Sequence, residues 1–197
     1  IPQEFDKSSC VIIKHANPCG FGIGDNLKEA YKRAVSTDPI SYFGGIVGFN
    51  QHVDDETAQE LVTPFLECII APSYSKESIK ILKKKKNLRV ISVSTEYNEA
   101  LTSIRSVSGG YLYQQKDGQK GELNKLNVVT KRKPTNDEYL AINLGWMLVR
   151  HVKSNAIVLA DKMQLLGIGA GQMSRIDSVK IAIQKVTDNG LNLHGSI

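Results

Sequence analysis

An α/β fold with helices layered on sheet is predicted, on three observations. Short apolar runs alternate with amphipathic segments along the 197 residues. Three of the amphipathic segments open with a small polar residue followed three positions later by an acid, the pattern that caps a helix. Glycine- and proline-bearing turns separate the segments, with no long linker or low-complexity tract between them. A chain of this length suits one large or two small domains, each with a buried core.

Taken in order, residues 10–14 (CVIIK) read as a short buried strand, followed by a glycine-punctuated turn. A helix over 27–35 starts from the pair Asn26 and Glu29, with Leu27, Ala30, Tyr31 and Ala34 on one face. Residues 44–49 form a second strand, 55–65 a helix ended near Pro64, 68–71 a third strand closed by Pro72, 76–86 a helix and 88–93 a strand. Residues 105–116 alternate loosely around Gly109-Gly110, and Asp117-Gly118 signals a turn. A strand over 127–130 precedes a helix over 135–153, opened by Thr135 and Glu138, whose apolar face is Leu140, Leu144, Met147 and Leu148. Two strands, 155–160 and 164–168, turn at Asp161-Lys162. The last helix, 174–186, is capped by Ser174 with Asp177 and buries a stripe of Ile176, Val179, Ile183 and Val186. The polar, turn-rich stretch from about residue 95 to 132 is the place for a subdomain change.

The formal charge of +5 fits either a lysine-rich solvated surface or an anionic partner, a phosphorylated small molecule or nucleic acid. Nucleic acid ranks last, because basic and aromatic residues do not interleave as a base-stacking surface requires. The run Lys83 to Lys86 ends a helical segment, where positive charge complements the helix dipole. Cys10, Cys19 and Cys68 are too few and too scattered for a disulfide framework, and none makes a C-x-x-C pair, so free thiols without structural zinc are expected. No apolar run reaches the roughly 18–20 residues of a membrane span and no leader is visible, so a cytoplasmic location is expected. Ile1 in the place of an initiator methionine, and the stop at Ile197, suggest a fragment.

Three stretches carry candidate chemistry. Lys14 and His15 stand at the carboxyl end of the first strand, just before a Pro/Gly turn, where open α/β sheets bind ligands. A histidine there is suited to accept a proton and a lysine to stabilise an oxyanion. Neighbours on a strand face opposite ways, so the pair converges only if the turn re-aims one of them; a surface lysine beside a hydrogen-bonded turn histidine is the plain alternative. The second stretch is Ser154-Asn155 with residues 167–175 (GIGAGQMSR), a glycine-rich loop entering a helix whose N-terminal N–H groups attract anions, with Arg175 as a charged fork. A ligand-free strand-to-helix turn explains it equally well. The G-x-G-x-G spacing matches neither the dinucleotide fingerprint nor a P-loop. The third is residues 41–45 (SYFGG), where two glycines admit a flat ligand or simply open a strand, and nearby Glu67 either accepts ligand donors or sits exposed.

In one order along the chain stand KHANPCG (14–20), DPxSxFGG (38–45), IIAP (69–72), SNAIVLA (154–160) and GIGAGQMSRIDS (167–178). Together they resemble the formyltransferase domain of the bifunctional purine-biosynthesis enzymes, over nearly the whole chain. That resemblance implies two cytidine-deaminase-like α/β subdomains, helices packed on mixed sheets, without the catalytic zinc. They would span residues 1–110, lacking an N-terminal part, and 111–197, lacking a C-terminal part. It implies formyl transfer from 10-formyltetrahydrofolate to the 5-amino group of aminoimidazole-carboxamide ribotide (AICAR), with no metal required. His15 matches the residue that takes the amino proton, Lys14 the transition-state partner, and Asn155 a contact near the reacting groups. Gly44, Glu67 and Arg175 match AICAR-binding positions, and Ile176 a folate-contacting backbone position. A homodimer with its site near the interface is implied as well, with neither nucleic acid nor membrane as partner. The family's RYGENP segment, its SDAFFPF segment and its N-terminal IMP cyclohydrolase half do not occur in this sequence, so the 197 residues alone are expected to be inactive. A different class of function, a non-catalytic nucleotide- or anion-binding module built on the loop before Arg175, stays open beside the enzyme.

Overall fold

The run SSCVIIK carries apolar side chains on both faces of an extended chain, and it forms β1 (Ser8–Lys14), an interior strand of a five-stranded sheet. The computed structural model describes residues 1–94, 102–116 and 126–197. Within them the chain is α/β, with a mixed main sheet and five α-helices. The sheet order is β2 (Asn17–Gly24), β1, β3 (Ile46–Phe49), β4 (Cys68–Ala71), β5 (Arg89–Ser92). Strand β1 runs antiparallel to both neighbours, and β3, β4 and β5 run parallel to one another.

Alternation along β1 divides the core. Cys10 and Ile12 pack with Val47, Phe49 and Ile69 under α1 (Leu27–Thr37), α2 (Asp55–Leu61) and α3 (Lys76–Leu82). Val11 faces the other way, joining Phe21 and Ile23 of β2 against Leu144 and Leu148 of α4 (Asn136–Val149). Strand β2 replaces the expected glycine-punctuated turn. Its glycines lie on one face: a Cβ at Gly20 or Gly22 would stand 2.0 or 2.6 Å from a carbonyl oxygen of α1. The bare strand lets the helix lie directly on it, which a turn reading of the same glycines misses.

The remaining strands make two hairpins, β6 (Thr102–Val107) with β7 (Gly110–Gln115), and β8 (Ile157–Ala160) with β9 (Leu165–Gly169). The first carries exposed Ile104, Tyr111, Leu112 and Tyr113. The second adjoins the edge of β2, where Ile23 N–H donates to Met163 O at 2.7 Å. It repeats the β2–α1 device: a Cβ at Gly167 would lie 2.3 Å from Ala182 O, and one at Gly169 1.9 Å from Ser178 O, both in α5 (Arg175–Asp188).

Two caps are as expected. Asn26 accepts Glu29 N–H at 2.8 Å, and Thr135 and Glu138 form a reciprocal capping box. Asn26→Ala is expected to destabilise the fold by about 1 kcal/mol, read from the denaturant midpoint, since the orphaned N–H gains only water in exchange. Other expectations are corrected. Residues 127–130 form no strand, the Asp117-Gly118 turn lies outside the described residues, and Ser174 makes no side-chain cap bond. The buried stripe of α5 is Ser178, Ala182 and Val186, while Ile176 and Ile183 are exposed. Small residues face β9 because its glycines bring the helix too close for isoleucine. Leu140 of α4 is likewise exposed, Ala141 taking its place in the core. No helix among the described residues is long and apolar enough to cross a membrane.

Candidate functional site

The β1–β2 connection is a two-residue turn, Lys14 pairing with Asn17 across His15 and Ala16. Both central residues have positive φ, 49° and 62°. Tight hairpins demand this, and normally place Asn-Gly there. A non-glycine residue in that region costs about 1–2 kcal/mol, and it persists only where the surroundings hold it. Asn17 supplies part of that hold. Its Oδ1 accepts the Lys153 N–H at 2.8 Å, tying the turn to the segment that leads into β8. The turn thus breaks the strand's alternation at His15, which the convergence of His15 with Lys14 requires.

Lys14, half-buried, donates from Nζ to Phe43 O at 2.5 Å. Gly44 follows with φ 66°, and a Cβ there would stand 3.1 Å from Lys14 Nζ and 3.2 Å from the Phe65 ring. Glycine is required twice over, by backbone conformation and by the ammonium beside it.

Lys14 and His15 line a cleft of about 290 Å³. Ile168 and Ala170 at the carboxyl end of β9 also line it, as do Cys19, Asp38 and Lys185. The cleft lies at the carboxyl ends of β1 and β9. Because β1 opposes β3, it lies at the amino ends of the parallel strands, not at their carboxyl ends as in an open parallel sheet. Burial pushes the Cys19 thiol up to about 12, with the Asp38 charge adding to the effect, so this sulfur is a neutral thiol near pH 7 and not a nucleophile.

Asn155 does not line the cleft; it follows Lys153 by two residues, and the Lys153 N–H is held by Asn17 of the cleft lining. Asn155 Nδ2 donates to Gln172 O at 2.8 Å and Met173 O at 3.0 Å, fixing the loop between β9 and α5. The Gly171 N–H of that loop donates to Lys153 O at 2.7 Å. The glycines of β9 therefore serve helix packing, and one loop N–H is already engaged. Arg175 and Ile176 open α5 on the exposed rim and do not line the cleft. Glu67 donates its N–H to Gly45 O at 3.1 Å, one residue from Gly44, while its carboxylate pairs with Arg89 at 2.8 Å. The structure thus groups Lys14, His15 and Gly44, ties the segment that carries Asn155 to the same turn through Asn17, and leaves Glu67, Arg175 and Ile176 at the periphery. Among the described residues, no three His, Cys, Asp or Glu side chains gather as a metal site.

Sequence reasoning missed Asp38 and Lys185 as cleft residues. Asp38 was legible as the first residue of the DPxSxFGG stretch, whereas nothing in the pattern of α5 distinguishes Lys185 from its other charges.

Comparison with known proteins bears on what this cleft belongs to. The family described as AICARFT/IMPCHase bienzyme matches residues 1–185. The bifunctional purine biosynthesis protein PurH of Halalkalibacterium halodurans is 48% identical over 186 residues, covering 94% of this chain and 36% of the relative. That of Aquifex aeolicus is 49% identical over 192 residues, covering 98% of the chain and 37% of the relative. The chain therefore spans little more than a third of the length of these relatives. Among solved structures, Acinetobacter baumannii RibD, form 1, is similar at 15% identity with a TM-score of 0.37, over 42% of this chain and 28% of that one, a likeness too slight to bear on the fold. With the family match running almost end to end, the chain belongs to the AICARFT/IMPCHase bienzyme family, whose PurH members act in purine biosynthesis.

Proposed function

We propose that this chain supplies the formyl-transfer cleft of such an enzyme, moving the formyl group of 10-formyltetrahydrofolate to the 5-amino group of AICAR to give the formamido product FAICAR. The observation that carries the reading is the turn at His15, which sets an imidazole and the Lys14 ammonium over one cleft with the end of β9.

The aromatic amine is a weak nucleophile. His15 takes its proton as the new N–C bond forms, Lys14 stabilises the charge on the carbonyl oxygen, and the proton reaches N10 of tetrahydrofolate as the old bond breaks. Asn155 orients AICAR near the reacting groups, Gly44 admits the ring against the backbone, and Arg175 and Glu67 hold it from the periphery. For Glu67 this requires that its carboxylate share or leave Arg89. The folate cosubstrate brings the formyl carbon and lies along Ile176, where Met173 and Ile176 give an exposed apolar rim. No metal takes part in this scheme. The chain acts within a cytoplasmic homodimer whose interface passes close to the cleft, in a longer polypeptide that also carries IMP cyclohydrolase.

The fold belongs to this proposal too. The hairpin-plus-helix unit of β1, β2 and α1 recurs as β8, β9 and α5, with the same glycine-to-helix contact. The recurrence supports two cytidine-deaminase-like subdomains, the change between them falling near residue 110.

The test is an assay of AICAR formylation by the full-length polypeptide and by the 197 residues alone. The full-length protein is expected to turn over and the isolated piece to do so negligibly. An inactive full-length protein ends the reading, and comparable rates from both refute the incompleteness of the piece. Gly44→Ala in the full-length protein is expected to lower kcat about 10-fold or more, because the added methyl displaces Lys14; an unchanged kcat contradicts the place given to Lys14.

A further inference from the structure

We propose that the Asp38–Lys185 ion pair is a positioning device, holding the segment whose carbonyl fixes the Lys14 ammonium. Asp38 follows α1 and is 8% exposed. Its Oδ2 meets Lys185 Nζ of α5 at 2.7 Å. Its Oδ1 accepts the N–H groups of Ile40 at 3.2 Å and Ser41 at 2.9 Å, folding the chain into the turn that ends at Phe43. Phe43 O is the acceptor for Lys14 Nζ. Two further bonds fasten the same point: Asn189 Nδ2 to Thr37 O at 2.8 Å, and Thr37 Oγ1 to Leu165 O at 2.6 Å.

Electrostatics give the pair a role beyond fastening. Among the described residues Asp38 is the only carboxylate lining the cleft, against the two ammonium groups of Lys14 and Lys185. Burial alone would raise its pKa, but Lys185 and the Ser41 donors outweigh burial and hold the carboxyl below its ordinary range. With Lys185 removed, Asp38 is left as a buried anion without its ion-pair partner, and among the described residues the other ammonium lining the cleft is that of Lys14. Drawn to Asp38, Lys14 leaves Phe43 O and with it the position from which it meets the substrate oxygen. Lys185 is thus a residue acting through another, at the wall rather than at the reacting atoms.

The inference rests on the formyl-transfer reading for its kinetic arm only, so two measurements are made on the full-length polypeptide. In the first, Lys185→Met is expected to lower kcat by at least about 10-fold with the AICAR KM changed less than about 2-fold. Lys185→Arg restores the rate, and the double variant Asp38→Asn, Lys185→Met, which keeps the turn acceptor and removes the stranded charge, recovers part of it. In the second, Lys14 labelling by an amine-acylating reagent is followed by peptide mass spectrometry. It slows several-fold in Lys185→Met, since an ammonium paired with a carboxylate gives up its proton less readily, and returns in the double variant. A folded Lys185→Met with unchanged labelling overturns the proposal, as does a double variant labelled as slowly as the single one. Labelling that responds as stated in a protein that never formylates AICAR leaves the positioning pair standing and removes the formyl-transfer reading.

Discussion

His15→Ala in the full-length polypeptide is expected to lower formyl transfer by about 10²–10⁴-fold, the usual contribution of a positioned general base, while AICAR binding changes by less than about 3-fold. The separation follows from where the residue sits. His15 is exposed at the cleft mouth, its backbone conformation set by the hairpin and by Asn17. Its removal therefore opens no cavity and costs the fold little. Alanine is less favoured at positive φ than histidine, so a small drop in thermal midpoint is expected, and His15→Asn, which tolerates that φ, serves as a folding control. Steady-state kinetics beside calorimetric AICAR binding decide the matter. Loss of both in parallel makes His15 a binding residue, and retention of turnover removes it from the chemistry.

Gly169→Ala is expected to have the largest effect on stability, above about 3 kcal/mol, because overpacking against a rigid partner has no cheap relief. The added Cβ would lie 1.9 Å from Ser178 O and 2.6 Å from Ser178 C, both backbone atoms of α5. The helix must lift from β9, uncovering Ala182 and Val186 and shifting the Ser178 hydroxyl bonded to Asn155 O at 2.8 Å. Gly145 in α4 makes the contrast. Its Cβ would meet Val158 Cγ2 at 3.7 Å, an ordinary contact, and Gly145→Ala in a helix interior should stabilise by about 0.5–1 kcal/mol. Denaturant unfolding of the two variants tests the close-packing account of the glycines, which fails if both shift stability alike.

Those glycines also mark the boundary of what sequence alone conveys. The α/β class, most of the element order and the caps at Asn26 and Thr135, though not at Ser174, were legible, because apolar periodicity and capping pairs act locally. Strand β2 was not. NPCGFGIG reads as turn chemistry until one knows that a helix backbone rests on Gly20, Gly22 and Gly24. The stripe on α5 was misread for the same reason: periodicity selects the large residues Ile176 and Ile183, whereas the tight contact selects Ser178 and Ala182. At the cleft, Lys14 and His15 were legible as a pair at a strand end, but their place on one cleft depends on two successive positive φ angles, and alanine has no propensity for the second of them. Lys185 reaches Asp38 across 147 positions of chain, a tertiary relation without local trace.

A crystal structure of the full-length polypeptide with AICAR and an unreactive folate analogue tests most directly whether Lys14 and His15 share one substrate with Asn155 and the start of α5. The predicted result places the AICAR amino nitrogen roughly 2.6–3.2 Å from the His15 imidazole, with Asn155 and Arg175 on the same ligand. AICAR bound away from the β1–β2 turn, or held there without any contact from the β9–α5 loop of either subunit, would contradict it.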